Sequence, residues 1–192
     1  MTDLPALAGS ASGSEILFVV AMEAEAGPVR RALGLDGPGE QLHPAFPARV
    51  WRGGNVGGRL VSVAVNGIDP RFDVESIATQ PAVTTTLHAI EHVGPTLVVS
   101  AGTAGGFEAR GGAIGSVYLA DRVVFHDRRI AIPGWDAYGD GDYPVLDLSA
   151  LAQQLGFGLG TVSTGNALDA PPVDVDRMHA SKAVAKEMEK GR

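Results

Sequence analysis

The chain contains no cysteine among its 192 residues. That excludes disulfides and thiolate metal sites and makes a reducing compartment, the cytoplasm, the expected setting. Basic residues are also few: 15 Lys and Arg stand against 22 Asp and Glu, a net charge of −7, and they form no sustained run. Nucleic acid and anionic membrane both demand clustered Lys and Arg to meet their phosphates, so neither is expected as a partner. No segment approaches the ~20 apolar residues that span a bilayer. The opening MTDLPALAGSASGSE has neither a basic start nor a long apolar stretch, which argues against a secretory signal; its Ala, Gly and Ser content reads as a flexible tail over residues 1–14. Several chemical signatures are missing too. No glycine-rich turn continues into Gly-Lys-Ser/Thr or completes G-x-G-x-x-G, no G-x-S-x-G elbow offers a serine nucleophile, and no H-E-x-x-H offers a zinc site.

What is present reads as one α/β domain over residues 15–192. EILFVVAM is a continuous apolar run, as in a strand buried on both faces, and EAEAGPVRRALGL behind it reads as a helix ending near Gly34. PARVWRGGNVGGRLVSVAVNG has two β-rich arms about a Gly/Asn turn, a hairpin. VESIATQPAVTTTLHAIEHVG has helical spacing and closes at Gly94. Residues 96–100 form a second buried strand that runs into the small-residue loop SAGTAGG. SVYLADRVVFHD is a strand with a bend near Ala120–Asp121, RRIAIPGWDAYGDGDYP a long loop, and LDLSALAQQLG a short helix capped by Gly156. GLGTVSTGNALD is a strand and a second small-residue loop, and DVDRMHASKAVAKEMEKGR carries helical periodicity to the end. The order β-α-ββ-α-β-β-α-β-α predicts a mixed sheet with helices on its faces, whose ligands bind outside the strand C-termini. AMEAEA, SAGTAGG and STGNALD fall there.

Each of these stretches has two readings. Glu23 and Glu25 either complement a helix N-terminus, or one of them is a base able to activate water. SAGTAGG is either plain turn chemistry or a place where backbone approaches a ligand with Thr103 as hydroxyl donor. His88 and His92 lie one helical turn apart with no third ligand, so a solvated helix face is expected and no metal. HDRR, His126 to Arg129, reads as a surface or interface ion-pair cluster. Glu187 and Glu189, two apart on a helix, point to different faces, so only one can face a given pocket, with Met188 beside it.

Taken in order, AMEAEA, SAGTAGGF, IGSVYLADRVVFHDRR, STGNALD and AVAKEME resemble the methylthioadenosine/S-adenosylhomocysteine nucleosidases of the nucleoside phosphorylase superfamily. VVFHDRRIAIP…DAYG is most similar to the plant-type methylthioadenosine nucleosidases. The resemblance, from about Glu15 to Glu189, implies a three-layer αβα fold with a central mixed sheet. It implies hydrolysis of the N-glycosidic bond of 5′-methylthioadenosine, with S-adenosylhomocysteine as a second substrate, by a homodimer that needs no cofactor. By this resemblance Glu25 deprotonates the attacking water, and Thr103 contacts that water or the ribose. Gly105 belongs to the same substrate-binding loop. Glu189 accepts the ribose 2′- and 3′-hydroxyls, with Met188 on the sugar. Leu168 and Asp169 line the adenine, Ile68 approaches the 5′-alkylthio group, and the loop around Pro133 and Trp135 closes a partner's pocket.

The chain departs from the family in three places. Lys190 stands where a small residue is usual, and Asn166 replaces the aspartate of an STGD pattern. The chain reaches Arg192 where family members continue into a strand and a final helix. The expectation is therefore a fold lacking its last strand and helix, and with them the aspartate that protonates adenine. An impaired enzyme, a non-catalytic nucleoside-binding protein of the same fold and a purine nucleoside phosphorylase are the alternatives to be separated.

Overall fold

The computed structural model describes residues 15–189. The tail expected over residues 1–14, and Lys190 to Arg192, lie outside them. The described residues divide into two compact units, one of residues 15–75 with 84–101, the other of residues 76–83 with 102–189.

The first unit holds β1 (Glu15–Val20), α1 (Glu23–Ala32), β2 (Glu40–His43), β3 (Phe46–Val56), β4 (Arg59–Val65), β5 (Ile68–Asp69), β6 (Val74–Glu75), most of α2 (Thr79–Val93) and β7 (Leu97–Ser100). Its five-stranded sheet runs β2-β3-β4-β1-β7, with β1 parallel to both β4 and β7 and the other pairs antiparallel. After Glu15, β1 is apolar because both its faces are covered. Leu17 and Val19 pack with Val50, Ala64, Ala89 and Val93, the last two from α2. Val20 packs on the other side with Ala26 of α1, Leu35, Trp51, Val63 and Val65. The expected hairpin is β3 and β4, turning at Gly57 and Gly58, where the Gly58 N–H donates to Asn55 Oδ1 at 3.1 Å.

The second unit holds β8 (Gly105–Gly106), a 3₁₀ turn (Glu108–Arg110), β9 (Tyr118–Phe125), α3 (Asp136–Asp140), β10 (Tyr143–Pro144), α4 (Ser149–Leu155), β11 (Gly158–Thr164), α5 (Pro172–Ala180) and β12 (Ala185–Glu187). Its five strands run β10-β9-β11-β12-β8, parallel from β9 through β12 and antiparallel at both edges. The expected bend in β9 is a β-bulge: Ala120 lies opposite Gly160 and Arg122 opposite Thr161, so Asp121 is one residue in excess. The α/β mixed-sheet character expected from the sequence is present, its strands sorted into two five-stranded mixed sheets, one in each unit. No helix among the described residues is long and apolar enough to cross a membrane.

One element differs from expectation. The helix anticipated from the capping aspartates to the C-terminus stops at Ala180, and AVAKEME is not helical. Ser181 caps the helix and Lys182 takes a left-handed φ of 57°, which ends α5. From Ala183 to Glu187 burial alternates residue by residue, the period of a strand. Ala, Lys, Glu and Met are strong helix formers, but pairing with β11 and the burial of Ala183 and Ala185 override that local preference.

Candidate functional site

In the first unit the candidate residues gather at the start of α1. Met22 is its N-cap, and Glu25, three residues on, turns back so that Oε2 accepts the Met22 N–H at 3.3 Å, half of a capping box. Glu25 is half-buried there. Glu23 is exposed and paired with Arg30, whose guanidinium lies 4.0 Å from the Trp51 ring centroid. The Glu23 N–H donates to Glu75 Oε1. Three carboxylates thus collect where the helix dipole favours negative charge.

Ile68 belongs to the β5–β6 hairpin and lies opposite Glu75. Gly67 before it has φ 80°, and a Cβ there would stand 2.2 Å from the Pro47 carbonyl oxygen, so only glycine brings the chain so close to Pro47. Beyond Ile68, the Arg71 side chain and N–H hold the Asp69 carboxyl down to about 2. A cleft of about 360 Å³ opens in this unit, apolar along Trp51, Val65 and Ile68 and charged at Glu23, Arg49 and Glu75. Glu23 lines it, whereas Glu25 is not among its lining residues.

In the second unit β12 organises the rest. Gly105 in β8 lies opposite Lys186, and the Phe107 N–H donates to the Val184 carbonyl at 3.1 Å. Thr103 is exposed just before β8. Met188 and Glu189 follow β12, both half-buried. Glu189 Oε2 accepts the Met188 N–H at 3.2 Å and Oε1 the Ala78 N–H at 3.5 Å. Leu168 and Asp169 are exposed, Leu168 at 84%.

Two expectations are corrected here. Glu187 and Glu189 are not on opposite faces of a helix. Glu187 is a buried strand residue, and its Oε2 accepts the backbone N–H of Glu189 at 2.7 Å. HDRR is only in part the surface or interface ion-pair cluster expected, since Arg129 is exposed and ion-paired but His126 is buried. His126 is 1% exposed, with Nδ1 3.0 Å from Ser163 Oγ. Asp127 Oδ2 accepts the Asn166 N–H at 2.5 Å, and Arg129 pairs with the buried Asp174 of α5. Burial holds the His126 imidazole below its ordinary pKa; Asp127 pulls it back up and Lys186 adds to the lowering.

Reading the sequence missed a clamp on the loop between β11 and α5. Asn166 Oδ1 accepts from the Thr79 hydroxyl at 2.6 Å and the Thr79 N–H at 3.2 Å. Lys186 Nζ donates to the carbonyls of Ala167 and Leu168 at 2.7 and 2.8 Å. The Asn for Asp change at residue 166 was the visible signal; Lys186 gave none while AVAKEME read as a helix. His88 and His92 lie on α2, paired with Glu91 and Glu40, with His88 stacked on His43 at 5.0 Å. Among the described residues no three His, Asp or Glu side chains could hold a metal ion together.

The model of the Phosphorylase superfamily matches residues 15–191. A 5′-methylthioadenosine/S-adenosylhomocysteine nucleosidase of Arabidopsis thaliana is 37% identical over 179 residues, 92% of this chain and 69% of that protein. A 5′-methylthioadenosine nucleosidase of the same plant is 37% identical over 180 residues, 92% of this chain and 66% of that one. This chain therefore spans about two thirds of the length of these relatives. The apo structure of an Arabidopsis thaliana 5′-methylthioadenosine nucleosidase superposes with a TM-score of 0.87 at 35% identity, covering 92% of this chain and 72% of that one.

Proposed function

Since the chain belongs to the phosphorylase superfamily and, within it, to the 5′-methylthioadenosine nucleosidases, we propose that it hydrolyses the N-glycosidic bond of 5′-methylthioadenosine, releasing adenine and 5-methylthioribose, with S-adenosylhomocysteine as a second substrate. The observation that carries this reading is identity to the Arabidopsis nucleosidases sustained over 92% of the chain.

In this reading water adds at C1′ while the C1′–N9 bond breaks. The bonding pair leaves with adenine, which takes up a proton. Positive charge builds on the ribosyl ring as in an oxocarbenium ion. Glu25 takes the proton of the attacking water and stabilises that charge. Its placement supports the role: it is half-buried at the start of α1, with one oxygen held by the Met22 N–H. Thr103 and Gly105 contact the sugar side. Glu189, held by two backbone N–H groups, accepts the ribose hydroxyls, and Met188 packs on the ring. Leu168 and Asp169 meet the adenine, and Ile68 the 5′-alkylthio group. A nucleophilic phosphate would need cations gathered at the first loop. The three carboxylates there favour water instead, and Arg30 is committed to Glu23.

Adenine release from 5′-methylthioadenosine, measured with and without phosphate, tests the proposal. Release without phosphate supports hydrolysis. Release that requires phosphate assigns a phosphorylase, and binding without release a nucleoside-binding protein. The homodimer is part of the same proposal, and light scattering of the purified protein decides it.

A further inference from the structure

We infer that Lys186 is a positioning residue for purine recognition, holding the loop Gly165 to Asp169 in the one orientation that offers its amides to a base. The inference rests on the assignment of Leu168 and Asp169 to the adenine, and it adds a residue that touches no substrate.

Lys186 is half-buried in β12, between Ala185 and Glu187, which are both buried. Its stem runs to the loop 18 residues earlier, where Nζ donates to two successive carbonyls, those of Ala167 and Leu168. All peptide bonds of the described chain are trans. In a trans peptide the C=O and the following N–H point in opposite directions. With the Ala167 and Leu168 carbonyls drawn to the ammonium, the N–H groups of Leu168 and Asp169 are turned away from it. Neither N–H has an acceptor among the described residues. Two adjacent, outward-turned donors are what the lone pairs of purine ring nitrogens require. Such an orientation has to be held, because Leu168 is 84% exposed and no packing fixes it. Asp127 and Thr79 hold the other end of the loop through the backbone and side chain of Asn166. Among the described residues, Lys186 is the side chain that reaches the two peptide planes carrying the donors, and a compact, thrice-donating ammonium suits convergent carbonyls better than a planar fork would.

The test uses Lys186→Met, which keeps the stem and removes the donors, with Lys186→Gln as a second variant that retains one donor group. Hydrogen exchange of the free protein is read at Leu168 and Asp169, and adenine affinity by calorimetry. In Lys186→Met the two amides should exchange faster while the rest of β11 and β12 is unchanged. Adenine should bind about tenfold more weakly, the lower end for losing bonds from a charged donor. KM should rise more than kcat falls, and Lys186→Gln should lie between. Unaltered exchange at both amides, in whichever variant folds, overturns the inference. So does adenine affinity within about twofold of wild type, too little for even one hydrogen bond. If the wild-type protein neither binds adenine nor releases it, the proposed function fails, and the exchange comparison still decides whether Lys186 holds the loop.

Discussion

Glu25→Gln separates chemistry from scaffolding at one position. The structure limits the scaffolding cost. The side chain accepts the Met22 N–H at 3.3 Å, and glutamine serves as well as glutamate in that place of a capping box. The change also removes one negative charge near a helix N-terminus, about 0.3–1 kcal/mol. For a chain of this length that lowers Tm by about 1–4 °C. The chemical cost is much larger, because an amide cannot take the proton of the attacking water, and general-base assistance is worth about 10²–10⁴-fold. Adenine release followed at saturating 5′-methylthioadenosine should therefore fall by at least about 10²-fold while the melting curve barely moves. The same change at Glu23, which is exposed and paired with Arg30, should lower turnover by less than about threefold, a cost below one hydrogen bond. Turnover by Glu25→Gln within that same margin would remove Glu25 from the reaction. A melting point lowered by more than about 8 °C, beyond any cap or dipole effect, would refute the reading of its structural role.

Three further outcomes follow from the second unit. Arg129→Met strands the buried Asp174 carboxylate. Removing one partner of a fully buried pair costs about 3–5 kcal/mol; with Arg129 half-exposed, urea unfolding should show about 2 kcal/mol, part of it regained by adding Asp174→Asn. Gly165→Ala places a methyl 2.4 Å from His126 Nε2 and 2.8 Å from Asp127 Cγ, and should cost about 1–3 kcal/mol in the same assay. The His126 pKa is lowered on folding, so the unfolded chain binds the extra proton. Stability is complete above the unfolded value near ~6.5 and falls as pH drops below it, by at most about 1.4 kcal/mol per unit. Melting curves from pH 7.5 to 5.5 should show that slope, and His126→Gln should flatten it.

Much of this was legible because local chemistry and tertiary demand agree. EILFVV is apolar on both parities because helices cover both faces of β1. Helices stop at Gly94 and Gly156, and the hairpin turns at Gly57-Gly58. Two kinds of feature were hidden. AVAKEME has the composition of a helix, and only pairing with β11, Val162 opposite Ala185 to Thr164 opposite Glu187, makes it a strand. HDRR is charged, and nothing local says that Ser163, Asn166 and Asp174 await it. Charged residues at the end of a parallel strand look like surface until their partners, in and just after β11 and in α5, are placed. The Lys186 contact was hidden for both reasons together.

The surplus residue in β9 bears on how this chain can change length. Asp121 is exposed and lies opposite no residue of its own in β11, while Arg122 to Phe125 face Thr161 to Thr164. A deletion at Asp121 would leave those four pairs as they are, with His126 still turned to Ser163, because the strand holds one residue in reserve. β11 has no such slack. Dropping one residue between Thr161 and Thr164 would reverse which side chains point inward, and would expel Ser163 or Thr164 from the interior. Of the two adjoining strands, only β9 can be shortened by one residue without moving the histidine.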